Sequence, residues 1–167
     1  MLFRSELPRI DLVVTDSQIF SAVAEIVPKD MRLTSFSILM ARQKGNFQEL
    51  YESGQAIRTL KPGDKVLISE ACTHNTSHED IGRVKIPRAL EKLAGGKLEF
   101  RYSAGLSFPD DLTEFALVVH CGGCMLTQRM FAARQNAAKR QNVPFTNYGL
   151  TLAFCAGVPE RSVSGLV

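Results

Sequence analysis

No apolar run in the 167-residue chain reaches the length of a membrane span; the longest, such as residues 115–119, are of strand length. The opening Met-Leu-Phe-Arg-Ser-Glu lacks the charged start and long apolar centre of a secretory signal. The formal net charge is only +3, too small by itself to imply a nucleic-acid partner. Internal repeats and low-complexity segments are missing as well. No Ser-His-Asp ordering or paired carboxylates suggest hydrolytic catalysis. Cysteine and histidine are scarce, at 4 and 3 residues. Without a signal peptide, a cytoplasmic setting with reduced thiols is expected, where grouped cysteines hold metal or do redox work more often than they form disulfides.

What is present is a sequence with 45% apolar and 22% charged residues, ordinary values for a folded domain with its own core. Its length suits one domain, or one domain plus part of another. Residues 10–14 form a β-branched run delivered into Thr15-Asp16-Ser17, a strand entering a helix cap. Helical spacing then runs to Pro28. Residues 33–41 suit either a helix or a strand, and helical spacing returns over 47–57. Lys61-Pro62-Gly63-Asp64 has the composition of a turn and marks a soft boundary between parts 1–63 and 64–167. Beyond it come a strand at 66–68, a helix at 88–93 opened by Pro87, strands at 97–102 and 115–119, a helix over 125–141, an extended piece at 144–148 and a last helix at 150–156. Alternating strands and helices predict an α/β fold, a mainly parallel sheet with flanking helices.

The few cysteines and histidines are not scattered. Three cysteines and two histidines occupy Cys72-Thr73-His74 and His120-Cys121-Gly122-Gly123-Cys124. Each stretch directly follows a predicted strand, and ligands of such sheets collect at strand carboxyl ends. If those strands are neighbours, Cys72 meets Cys121 and Cys124 without a long loop. The glycines let the backbone bend tightly and bring N–H groups near the sulfurs. A helix starting around Cys124 would aim its positive end there. Four readings compete: buried cysteines without a ligand, a dithiol redox centre, structural zinc on Cys72, His74, Cys121 and Cys124, and a 4Fe–4S cluster on three thiolates with one open iron. Ligand types alone do not separate the last two.

The order Cys-x-His, then His-Cys-x-x-Cys, resembles the signature of the HydF family of FeFe-hydrogenase maturation factors. Thr15-Asp16-Ser17-Gln18, the run Leu33-Thr34-Ser35-Phe36-Ser37-Ile38-Leu39, the run Asp80-Ile81-Gly82-Arg83-Val84-Lys85-Ile86-Pro87-Arg88, and Asn147-Tyr148-Gly149 are similar to the same family. The resemblance implies a scaffold and carrier that binds a 4Fe–4S cluster through Cys72, Cys121 and Cys124, with the iron–sulfur site at strand carboxyl ends. His74 and His120 would lie near the open iron or support it. The carrier would deliver the dinuclear iron precursor of the active site to the apo-FeFe-hydrogenase, alongside other maturation factors. It also implies a partial dimerisation region over 1–63, a cluster-binding domain over 64–167 and a homodimer. The family's GTPase belongs to an N-terminal domain. This chain contains no Gly-x-x-x-x-Gly-Lys-[Ser/Thr] loop, so no enzymatic activity is expected of it. The alternative from another class is a zinc-stabilised structural or interaction module. Neither a nucleic acid nor a membrane is an expected partner.

Remaining candidates weigh less. Cys155 in Leu152-Ala153-Phe154-Cys155-Ala156 reads as a small buried hydrophobe. His78 reads as a loop histidine. Glu79 and Asp80 read as capping or loop carboxylates close enough to offer an oxygen to iron. Arg83, Lys85 and Arg88 form a basic group that suits either a solvated face or guidance of an anionic precursor.

Overall fold

The computed structural model describes residues 10–71, 81–164 and 166. Cys72, Thr73, His74, His78, Glu79 and Asp80 lie outside the described residues. Two parallel sheets carry the described strands. The smaller pairs β1 (Leu12–Thr15) with β2 (Arg32–Ser35). Asp16 accepts a hydrogen bond from the Gln18 N–H at 2.7 Å, and this turns the chain from β1 into helix α1 (Phe20–Ile26). Pro28 forbids continuation and holds Val27 extended, at φ −76° and ψ 131°. Val13, Phe20, Val27 and Leu33 make the small core between this sheet and its helix.

Residues 33–41, ambiguous in pattern, are both structures in succession. They pair with β1 as far as Ser35, then continue as α2 (Phe36–Lys44), whose Ile38 and Ala41 are buried. Helix α3 (Phe47–Gly54) follows, with Asn46 as its cap. Ile38, Ala41 and Leu50 pack into the core of the larger sheet although they precede the 61–64 turn. That turn is closed by the Lys61 N–H on the Asp64 carboxylate at 2.8 Å.

The larger sheet contains β3 (Lys65–Glu70), β4 (Glu99–Ala104), β5 (Leu117–His120) and β6 (Phe145–Asn147), in the order β4-β3-β5-β6 and parallel throughout. The α/β expectation with a parallel sheet therefore holds. Val66, Leu67, Ile68, Leu117, Val118 and Val119 are all buried, as unbroken apolar runs in parallel strands are. Edge strand β4 instead leaves much of its length exposed, with only Ser103 buried. The connecting helices are α4 (Ile86–Ala94), α5 (Gln128–Arg140), α6 (Tyr148–Cys155) and α7 (Pro159–Ser162). Helix α4 is preceded by a π-helical turn over Ile81–Lys85 and ends at Gly95, left-handed at φ 71°.

Three element expectations shift. Strand β5 begins at Leu117, because Phe115 closes a turn onto Leu112 O. Helix α5 does not start near Cys124: Thr127 caps it, accepting from the Met130 N–H at 3.3 Å, so residues 121–127 form a non-helical loop. Asn147 ends β6 and caps α6 through the Leu150 N–H at 2.9 Å, which moves that helix start two residues earlier than its apolar pattern suggests. Helix α7 has too few residues for periodicity to reveal.

Candidate metal centre

Strands β3 and β5 are hydrogen-bonded neighbours, with Ser69 opposite His120. From β3 the chain crosses to β4 on one side, and from β5 to β6 on the other. The gap between β3 and β5 is thus the point where the winding reverses, where open α/β sheets place their ligands. One residue beyond β5, the Cys121 N–H donates to Ser69 O at 2.9 Å and prolongs the pairing. The Cys121 sulfur then accepts the Ala71 N–H at 3.2 Å and the Gly123 N–H at 3.4 Å. Ala71 is the residue that enters Cys72-Thr73-His74. The Cys121 stretch is therefore tied to the strand end from which the other stretch departs, as neighbouring strands require.

Two N–H donors on one sulfur favour its thiolate. Cys121 is buried and Cys124, three residues on, is exposed. Gly123 makes the bend between them at φ 63°, a left-handed conformation that costs other residues strain, and a Cβ there would lie 2.9 Å from the Phe131 ring. The loop's carbonyls turn away to Lys44 at the end of α2. Its ammonium donates to Gly123 O at 2.9 Å, to Cys124 O at 3.4 Å and to Leu126 O. Three loop carbonyls are thus held on that cation, while the Cys121 sulfur meets the Ala71 N–H at the end of β3.

His120 is fully buried. Its Nδ1 lies 2.7 Å from Cys121 O, and its Nε2 lies 3.0 Å from Nη1 of Arg134. A carbonyl only accepts and a guanidinium only donates, so the proton sits on Nδ1 and Nε2 accepts. Burial pushes the imidazole down to about 4; the Arg134 charge adds to this, and the Cys121 carbonyl works against it. His120 is therefore neutral, edge-on to Phe131 at 4.8 Å, with both nitrogens engaged. In this arrangement it supports the loop from beneath. His74 lies outside the described residues.

Arg134 is the residue behind this arrangement that sequence reasoning missed. It projects from α5 and is only 7% exposed. Besides His120, it donates to Ser69 Oγ at 3.3 Å and to Gly105 O at 2.7 Å, and it lies over the Phe108 ring at 5.0 Å. Ser69 Oγ also accepts from Ser103 Oγ at 3.0 Å, so β3, β4, β5 and α5 meet in one polar knot beneath the cysteines. Burial lowers the guanidinium's proton affinity and the Cys121 sulfur opposes that effect. Nothing distinguishes Arg134 in sequence from Arg129 or Arg140 on the same helix. Lys44 was equally inconspicuous; only packing brings it to residues 123–126.

The other candidates separate. Arg83 pairs with Glu70 at 2.8 Å and stacks over Tyr102 at 4.9 Å. Lys85 hydrogen-bonds the Gln18 side chain, and Arg88 is exposed. Cys155 ends α6, and burial raises its thiol to about 12. Among the described residues no group of three or more Cys, His, Asp or Glu is placed to hold a metal ion; Cys72, the third expected ligand, lies outside them. The donor chemistry nonetheless fits a thiolate-bound metal group, since Cys121 and Cys124 share a loop and the Cys121 sulfur is met by the N–H groups of Gly123 and Ala71. Among the described residues no helix is long and apolar enough to cross a membrane.

Two family models match the chain. The Hydrogen maturase F tetramerization domain covers residues 48–165, and the Hydrogen maturase F dimerization domain covers residues 2–45. No curated protein matches it.

Proposed function

The chain belongs to the hydrogen maturase F family and has its role in hydrogenase maturation; from that premise we propose that it binds a 4Fe–4S cluster and serves as scaffold and carrier for the dinuclear iron precursor of the hydrogenase active site. Cys72, Cys121 and Cys124 are the proposed ligands, and His74 and His120 are supporting residues. The observation that carries the reading is the Cys121 sulfur, which accepts two backbone N–H groups at the shared carboxyl ends of β3 and β5. That geometry suits a sulfur bearing negative charge at a fixed place.

Bound there, the cluster would supply an iron with an open position to which the precursor can attach. The chain's own residues do the rest. Lys44 gathers three loop carbonyls, and Gly123 supplies the bend between Cys121 and Cys124. His120 fills the space under the loop as a neutral ring and adds no charge of its own. The exposed Cys124, followed by Met125 at 72% exposure, leaves one side of the loop open to a docking protein. That openness supports delivery to the apo-FeFe-hydrogenase, with other maturation factors meeting the same face. The matched dimerization and tetramerization domains favour a symmetric assembly, a homodimer at the least. The carrier acts without enzymatic turnover of its own and works in the cytoplasm.

Anaerobic reconstitution of the full chain with ferrous iron and sulfide, read by EPR after reduction, tests this. A 4Fe–4S signal that vanishes in Cys121→Ala and Cys124→Ala is expected. Stoichiometric zinc in the isolated protein, with no cluster signal after reconstitution, would replace the carrier with a zinc-stabilised module.

A further inference from the structure

Arg134 is the one buried cation among the described residues, and no carboxylate among them pairs with it. Its acceptors are all neutral: a serine hydroxyl, an imidazole nitrogen and a peptide carbonyl. A guanidinium taken out of water and given only neutral partners is an expense that folds avoid unless an anion completes it. The nearby candidate is the Cys121 sulfur, since Arg134 bonds both Ser69 and His120, the residues flanking Cys121 in the ladder. Lys44 is the other cation at this loop, but it is half-exposed and its charge is screened by solvent.

We propose that Arg134 is a positioning residue of the cysteine site with two duties: it fixes His120 as the Nδ1–H tautomer, and it supplies the positive charge that completes an anionic, thiolate-bound group above it. This rests on the cluster-binding reading and adds a partner for the charge of that cluster. A thiolate-bound cluster becomes more negative when it takes up an electron. A fixed cation beneath it therefore favours the reduced state and raises the midpoint potential. The tautomer matters for a separate reason. With the proton on Nδ1, His120 holds the Cys121 carbonyl down and leaves the Cys121 N–H for Ser69. With the proton on Nε2, two donors would face each other at Arg134, and the carbonyl would lose its partner.

The test uses the full chain with Arg134→Lys, Arg134→Gln and Arg134→Met. Redox titration followed by EPR on protein reconstituted with ferrous iron and sulfide should show a more negative midpoint potential in the Gln and Met variants. The Lys variant should stay near the parent. On the apo protein, nitrogen NMR of the histidine rings should show Nδ1–H at His120 in the parent and the Gln variant, and a mixture of tautomers in the Met variant. An unchanged potential in Arg134→Gln overturns the electrostatic duty; an unchanged tautomer in Arg134→Met overturns the positioning duty. Failure of both the Lys and the Gln variant to fold overturns the proposal in favour of a packing role alone. If the parent itself takes up no cluster, it is the carrier reading that fails, and the apo tautomer measurement still decides the positioning duty.

Discussion

At the scale of single residues, the three described cysteines divide by environment. Cys121 accepts two N–H groups and Cys124 faces solvent, whereas Cys155 ends an apolar helix with its thiol raised to about 12. In the apo protein at pH 8, iodoacetamide should alkylate Cys124 well ahead of Cys155, as mass spectrometry of partial digests would report; equal rates would mean that Cys155 is not protected. Cys155 also sets an alkaline limb of stability. Between the ordinary thiol value of 9.0 and about 12 the folded chain keeps a proton that the unfolded chain releases, so stability falls as pH rises through that window. Urea melts between pH 8.5 and 10.5 should decline for the parent and decline less for Cys155→Ala, in which the raised Tyr51 phenol still contributes at the upper end. The two glycines of the loop give a second contrast. A Cβ on Gly122 meets nothing within 4 Å, but one on Gly123 enters left-handed strain and the Phe131 ring. Gly123→Ala should cost about 1–3 kcal/mol from strain and overpacking together, and Gly122→Ala should stay within about 0.5 kcal/mol, as surface substitutions do.

Among the elements, α2 and the 121–127 loop are joined by one side chain. Lys44 lies in the segment matched to the dimerization domain, while the carbonyls it binds lie in the segment matched to the tetramerization domain. Replacing it with methionine keeps the length and removes the donors. About 1.5–3 kcal/mol of stability should go with them, the range for hydrogen bonds to a charged group, and the Gly123 amide should exchange its hydrogen faster than in the parent. Unchanged exchange would show that the loop holds its shape without the lysine.

The elements also show what the sequence could and could not disclose. Strands β3 and β5 were legible because unbroken apolar runs belong to the middle of a parallel sheet, and the two Cys–His stretches could be assigned to their carboxyl ends for the same reason. Residues 33–41 were not legible, since Leu33 belongs to a strand and Ile38 to a helix within one continuous apolar pattern. The loop before α5 was misread because helix-favouring residues continue back to Met125, while the signal that counted was the Thr127 cap. Arg134 and Lys44 were invisible for a different reason. Each acts on residues brought near only by packing, and neither has a local pattern to betray it. The cysteines proposed as ligands, by contrast, declared themselves through clustering alone.

In the whole molecule, the small sheet and its helix are fastened to the rest by the last described helix. Arg161 of α7 donates to Val27 O at 2.6 Å, to Pro28 O at 2.7 Å and to Ala24 O, closing the carbonyl end of α1. Val158 packs on the small core beside it. Together with Lys44, this gives two cations that each gather carbonyls across the boundary between the matched modules. Arg161→Ala should uncouple residues 12–35 from the rest, and hydrogen exchange should show early opening of β1 and β2 while β3 and β5 stay protected. Loss of protection in all four strands together would indicate a single cooperative unit instead.

Whether the sulfur site at the β3–β5 switch point holds a cluster is decided by the iron and sulfide content of reconstituted protein measured beside its EPR spectrum. Four irons and four sulfides per chain, characteristic of a 4Fe–4S cluster, are expected in the parent and in Cys155→Ala. The signal should be lost in Cys72→Ala, Cys121→Ala and Cys124→Ala alike. Retention of a full cluster in Cys121→Ala would place the site elsewhere, because that sulfur is the one held at the ends of β3 and β5.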